Sequence, residues 1–273
     1  MLFGKRRASN LCISDRFEFI PGSTRVTPFG SDSMRKRRIF SASKIPDLLG
    51  FGYNTRRNTL EEFYRKDDEV VPKKEASGIL QQAMNHGKVF EAEAAYHFFQ
   101  WCENTWIPLG NIDNQLTYTV DYTCRGIKFT IGATPDLMIW NPEENKLSLV
   151  EIKCPYGAYL RQSDMGESES ALAYTEKFYV QCQIQMLILK IKEMFLFIYL
   201  PPVGCQSNSR MSTFHITEDR DYQTFLLSSI FQAYEELETQ NPNLFNLFRN
   251  EGAHNKNMTQ ESMYKHSKFL IRE

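Results

Sequence analysis

The chain has 273 residues, 42% hydrophobic and 24% charged, with 32 Lys and Arg against 33 Asp and Glu, a balance that excludes fibrous, collagen-like and wholly disordered proteins. Its longest central apolar run, residues 194 to 200, stops at Pro201-Pro202, far short of a membrane span. The N-terminus becomes polar after Arg7 without the apolar stretch of a secretory signal, so the protein is expected inside cells, in the nucleus or the cytoplasm.

Cysteines stand at 12, 102, 124, 154, 182 and 205 with no C-x-x-C pair and no histidine at ligand spacing. That pattern argues against zinc and iron-sulfur sites and for reduced, buried thiols. The net charge of -1 hides an asymmetry: residues 1 to 38 hold nine basic and three acidic side chains, leaving the remainder acidic. A basic arm on an acidic body suits a polyanion partner, and equally a solvated tail.

In chain order, residues 1 to 34 show no sustained period and are expected to form a mobile basic arm. The spacing of Ile45, Leu48 and Leu49 after Ser41-Ala42-Ser43 predicts a short helix ended at Gly50 and Gly52, and residues 59 to 66 predict a second. Ile79, Ala83, Val89, Phe90, Ala94, Phe98 and Trp101 mark a long helix over about 77 to 103. Residues 116 to 121, 126 to 140 and 147 to 154 read as strands of one antiparallel meander. A helix over 171 to 190, strands at 194 to 200 and 211 to 216, and a helix over 222 to 248 follow. The order implies one α/β (α+β) domain over about 35 to 250, with residues 251 to 273 a polar C-terminal extension.

The chemistry concentrates at Thr134-Pro135-Asp136 and, fourteen residues on, Glu151-Ile152-Lys153. Residues two apart on a strand share a face about 7 Å apart, so Glu151 and Lys153 project together while Ile152 points the other way. A turn over residues 141 to 145 would bring Asp136 back beside Glu151. Two close carboxylates need a cation or a proton between them, and hard oxygen donors without histidine favour Mg2+ or Mn2+. Such a site suits phosphodiester hydrolysis, with Lys153 orienting water or stabilising charge on the phosphorane. E-x-K alone is a common surface hairpin pair; here it follows the apolar stretch Leu147 to Val150 and lies at hairpin distance from a Pro-Asp step.

With these residues the chain resembles the PD-(D/E)xK nucleases, in the branch of phage lambda exonuclease, YqaJ-type viral recombinases and viral alkaline nucleases. Five motifs occur in that branch's order: Ser41-Ala42-Ser43-Lys44, Gly87 to Glu91, Thr134-Pro135-Asp136, Glu151 to Pro155, and Tyr179-Val180-Gln181-Cys182-Gln183. They cover roughly residues 36 to 200. The resemblance implies a restriction-endonuclease-like core, a central mixed sheet with an antiparallel meander flanked by helices. It implies Glu91, Asp136, Glu151 and the carbonyl of Ile152 as ligands of one or two Mg2+ or Mn2+ ions, with Lys153 and Gln181 as further catalytic residues. For the 5'-phosphate it implies Ser43, Thr134 and Gln181 together with Arg37 or Arg38.

The activity implied is 5'-to-3' digestion of linear duplex DNA, leaving 3' single strands for recombination or viral genome processing. A homotrimer and a single-strand annealing protein are the implied partners. The alternatives are an endonuclease or a RecB-like or Cas4-like nuclease of the same core, and a catalytically silent DNA-binding protein. The intact Glu91, Asp136, Glu151 and Lys153 and the lack of a cysteine cluster weigh against them. His86 is read as an ordinary core or surface histidine.

Overall fold

The computed structural model describes residues 17–29, 39–64, 78–103, 105–109, 115–161, 174–203, 208–239 and 251–270. They form two mixed sheets and, among the described residues, seven helices. In the first sheet β5 (Leu116–Cys124) pairs antiparallel with β6 (Ile127–Ala133), and β6 pairs in parallel with β3 (Ile39–Ser41). On its free edge β5 takes β1 (Glu18–Phe19) and β2 (Arg25–Pro28), both antiparallel. The second sheet runs β11 (Ser267–Leu270), β10 (Arg210–Thr217), β9 (Glu193–Leu200), β8 (Lys146–Lys153), β7 (Leu137–Asn141), β4 (Ile107–Pro108). Only β8 and β9 are parallel neighbours there, which forces a crossover between them.

That crossover carries α4 (Tyr156–Leu160) and α5 (Glu176–Leu189). Helix α5 packs against β5 and β6 of the first sheet and β9 of the second. Nine of its residues are buried, so its sequence lacks the single apolar stripe of a surface helix. Strand β9 is apolar almost throughout because both of its faces are covered. Met194, Leu196 and Ile198 join the main core around α5, while Phe195, Phe197 and Tyr199 join a second core under α3 (Gly78–Trp101). The remaining helices are α1 (Ile45–Leu48), α2 (Arg56–Tyr64), α6 (Arg220–Thr239) and α7 (Glu251–His266).

Several expectations need correction. Residues 126 to 140 are not one strand: β6 ends at Ala133 and β7 begins at Leu137 in the other sheet. Pro135 has no N–H for a ladder and restricts Thr134, so the chain changes sheets at the Thr-Pro-Asp step. The expected meander is therefore two hairpins, one in each sheet. Residues 17–29, expected in a mobile arm, are tied to β5, and Arg25 pairs with Asp121 at 2.6 Å. Residues 251–270, expected to be an extension, form α7 against α5 and β11 on the edge of β10. In α3, Ile79 and Val89 are exposed; the helix meets β8 and β9 through Ala94, Ala95 and Phe98 instead.

Candidate active site

Strand β8 alternates as its sequence requires. Val150 and Ile152 point into the core under α3, and Glu151 and Lys153 face α5. The Glu151 side chain is buried completely (0% exposed), a costly position for a carboxylate without donors. Its Oε1 accepts bonds from Lys153 Nζ and from Gln181 Nε2 (2.5 Å), and its Oε2 from Gln185 Nε2 (2.5 Å). Gln181 and Gln185 are one helical turn apart and share a face of α5. Lys153 Nζ lies 5.6 Å from the centre of the Phe178 ring. Burial works against the Lys153 charge, but Glu151 and Asp136 overcome it and hold the ammonium above its usual range.

Asp136 stands where the chain passes between sheets, just before Leu137 pairs with Val150. Its Oδ2 accepts the backbone N–H of Ile152 at 2.7 Å, so it lies against the E-x-K step as the sequence predicts. The hairpin turn responsible is organised by Asn141 Oδ1, which accepts the N–H groups of Glu143 and Glu144. Glu91 approaches from α3. Gln115 Nε2 lies between the two acids, donating to Glu91 Oε1 at 2.8 Å and more weakly to Asp136 Oδ1 at 3.4 Å. Burial, then the Glu151 charge, and to a smaller extent Glu91, push the Asp136 pKa well above the carboxylate range against the pull of Lys153.

Among the described residues no three His, Cys, Asp or Glu side chains close around a common point at metal-binding distance; amide and ammonium donors lie between the acids. The donor chemistry nevertheless fits a hard divalent cation. The Gln115 amide puts its positive end between Glu91 and Asp136, and Asp136 is left carrying repulsion from Glu151 and Glu91 that a cation would relieve. Burial raises the Cys182 thiol pKa well above its usual value and pushes Cys154 up to about 12, so neither thiol is a ready nucleophile at neutral pH.

The residues expected at a terminal phosphate are less closely gathered. Ser43 is exposed on the single turn Ala42–Lys44, its Oγ 3.3 Å from Ser41 Oγ. Thr134 shares a 2.8 Å hydroxyl hydrogen bond with Thr117. The Ser turn packs against α5 and β6 because β3 lies tightly along β6. A Cβ on Gly132 would come within 2.8 Å of the Ile39 side chain, closer than that pairing allows. Gln181 is engaged with Glu151, and Arg37 and Arg38 lie outside the described residues.

Sequence reasoning missed Gln185 and Gln115. The i+4 spacing from Gln181 was a usable signal for Gln185; Gln115, outside any motif, offered none. Gln183, by contrast, turns to the opposite side of α5 and bonds Tyr179 Oη and the Thr217 carbonyl. His86 is a core side chain among Phe90, Tyr156 and Tyr159, and burial lowers its pKa.

A YqaJ-like viral recombinase domain model matches residues 32–191, more than half of the chain. The chain belongs to the YqaJ-like viral recombinase domain family. No curated protein matches it significantly. Among solved structures, the alkaline exonuclease LHK-Exo from Laribacter hongkongensis superposes with a TM-score of 0.50 at 16% identity, over 81% of this chain and 96% of that one. Its complex with dAMP gives 0.50 at 17% identity over the same shares. A phage-related exonuclease from Haemophilus somnus 129PT scores 0.49 at 12% identity, over 74% and 94%. The YqaJ-like chain thus shares its fold with a solved alkaline exonuclease. Among its described residues no helix is long and apolar enough to cross a membrane.

Proposed function

We propose that this YqaJ-like protein is a metal-dependent deoxyribonuclease that digests linear duplex DNA from a 5' end, leaving 3' single strands for recombination or viral genome processing. The observation that carries the reading is the approach of Glu91, Asp136, Glu151 and Lys153 to one seam between the sheets, with Asp136 against the Ile152 amide. Bound by Glu91, Asp136, Glu151 and the Ile152 carbonyl, Mg2+ or Mn2+ supplies Lewis acidity and a more acidic water. Lys153 holds its proton firmly and so acts as an electrostatic partner, orienting the attacking water and stabilising charge that builds on the phosphoryl oxygens. Gln181 and Gln185 keep the Glu151 carboxylate in place.

In this reading the hydroxyls of Ser43 and Thr134, the Gln181 amide and a guanidinium of Arg37 or Arg38 receive the terminal phosphate, the guanidinium as a bidentate fork. A homotrimer and a single-strand annealing partner belong to the same proposal and rest on the resemblance alone. The test is incubation of the purified full chain with Mg2+ or Mn2+ on linear duplexes with and without a 5'-phosphate, beside a closed circle. Expected is loss of the phosphorylated linear DNA only, stopped by a chelator and by Lys153→Ala. Nicking of the circle would show an endonuclease, and retarded migration without digestion a binding protein.

A further inference from the structure

One face of α5 continues beyond the site. Lys177, Gln181 and Gln185 recur every four residues and so line one stripe. Gln181 and Gln185 reach Glu151; Lys177 lies one turn, about 5 to 6 Å, nearer the helix start. Its ammonium sits 3.6 Å from the centre of the Tyr53 ring. Among the described residues it has no carboxylate within ion-pair distance, since neighbouring Glu176 meets Lys256 at 3.6 Å and Gln260 at 2.5 Å.

Tyr53 is 82% exposed, yet the loop that holds it is tightly built. The buried Asp47 carboxylate accepts the Asn54 N–H at 3.0 Å and the Thr59 hydroxyl at 3.4 Å. Gly50 N–H bonds the Asp47 carbonyl and Phe51 N–H the Pro46 carbonyl. Gly52 presses so closely on Asp47 that a Cβ there would collide with its carboxylate and backbone. A large ring fixed in solvent beside a cation gains little for the isolated chain, but it is the combination that single-stranded nucleic acid uses, one group for a base face and one for a phosphate. Burial lowers the Lys177 pKa against the pull of Asp47 and Glu176, so its ammonium is already partly stripped of water.

We propose that Tyr53 and Lys177 form a strand-guiding contact at the mouth of the site, Tyr53 stacking on an unpaired base and Lys177 receiving the adjoining backbone phosphate. The proposal rests on the nuclease reading and adds two residues to it. The structural alternative is that the pair merely pins the loop to α5.

The test uses the full-length protein in Ca2+ with a 5'-phosphorylated oligonucleotide carrying 2-aminopurine in a short unpaired end. Stacking quenches the probe's fluorescence. Tyr53→Ala is expected to weaken binding about 5- to 100-fold and to remove the quench, whereas Tyr53→Phe keeps both. Lys177→Gln is expected to lower the slope of log affinity against log salt by about 0.7 to 1. Thermal midpoints of all three should match the wild type. Unchanged affinity and quench in Tyr53→Ala, with or without a lowered midpoint, overturns the proposal. Wild-type digestion of linear DNA in Mg2+ is measured in parallel: digestion with an indifferent Tyr53 removes this contact alone. Quenching without digestion removes the nuclease reading and leaves the contact standing, and no binding at all removes both.

Discussion

Asp121 and Asp136 are aspartates of neighbouring hairpins with opposite electrostatic surroundings. Asp121 is 1% exposed on β5, where it receives both guanidinium nitrogens of Arg25, the Lys128 ammonium at 2.7 Å and the Thr130 hydroxyl at 2.8 Å. Burial would raise its pKa, but these donors outweigh it and hold the carboxyl at about 2. Asp136 accepts the Ile152 amide and a weaker bond from Gln115, and burial together with repulsion from Glu151 and Glu91 outweighs the pull of Lys153, so its pKa rises. The first arrangement stabilises the fold. The second leaves repulsion between carboxylates that a bound cation would relieve.

The largest expected contrast is in activity. Lys153→Ala or Asp136→Asn should lower DNA digestion by a factor on the order of 10²–10³ or more, while Asp121→Asn leaves the rate per folded molecule near wild type; digestion of linear duplex in Mg2+ measures both. Stability should run the other way. With chelator present, Asp121→Asn is expected to lose about 2 kcal/mol in urea unfolding at pH 7, and Asp136→Asn to gain about 1 kcal/mol because repulsion disappears. A loss in Asp136→Asn as large as that in Asp121→Asn would erase the distinction.

The pH dependence separates them further. The Asp121 carboxyl is depressed from 3.8 to about 2, so its contribution is complete above 3.8 and lost as the pH falls toward 2. Its share of the acid destabilisation, about 2 kcal/mol, should vanish from the urea-unfolding profile of Asp121→Asn. Asp136, displaced upward, costs stability as the pH rises above 3.8, so Asp136→Asn should flatten the profile on that side.

The glutamines of α5 give a finer test. Gln185→Leu leaves Glu151 Oε2 without its amide and should reduce activity about tenfold, with a stability loss of about 1–3 kcal/mol. Gln183→Leu should cost similar stability at little loss of rate, since its partners Tyr179, Thr217 and Asp219 are remote from the carboxylates. The smallest effect is expected for Ser262→Ala, about 1 kcal/mol by thermal unfolding, as it removes the hydrogen bonds to Tyr179 and Asp219 that seat α7.

Much of this was written locally. The alternation of Glu151, Ile152 and Lys153 and the turn at Asn141 are short-range patterns, and each fixes a direction or a reversal of the chain by itself; the strand expected over 126–140, by contrast, runs straight through the break at Pro135. The two ends were less legible. Strands of two and four residues at 18–19 and 25–28 are too short to show a period, and exist because β5 offers an edge. Helix α7 docks through hydroxyls rather than an apolar stripe: Thr259 meets Tyr222 at 2.7 Å and Ser262 meets Tyr179 at 2.6 Å, so its sequence reads as a polar tail.

The sequence alone determined which residue types could cleave a phosphodiester and which of them share a strand face, because alternation and turn chemistry act over a few residues. Only the tertiary structure decided that the chain changes sheets at Asp136, that Gln115 and Gln185 complete the carboxylate cluster, and that Tyr53 stands beside Lys177. Those are contacts between segments tens of residues apart, and their geometry comes from the packing of α3, α5 and the two sheets rather than from any local preference.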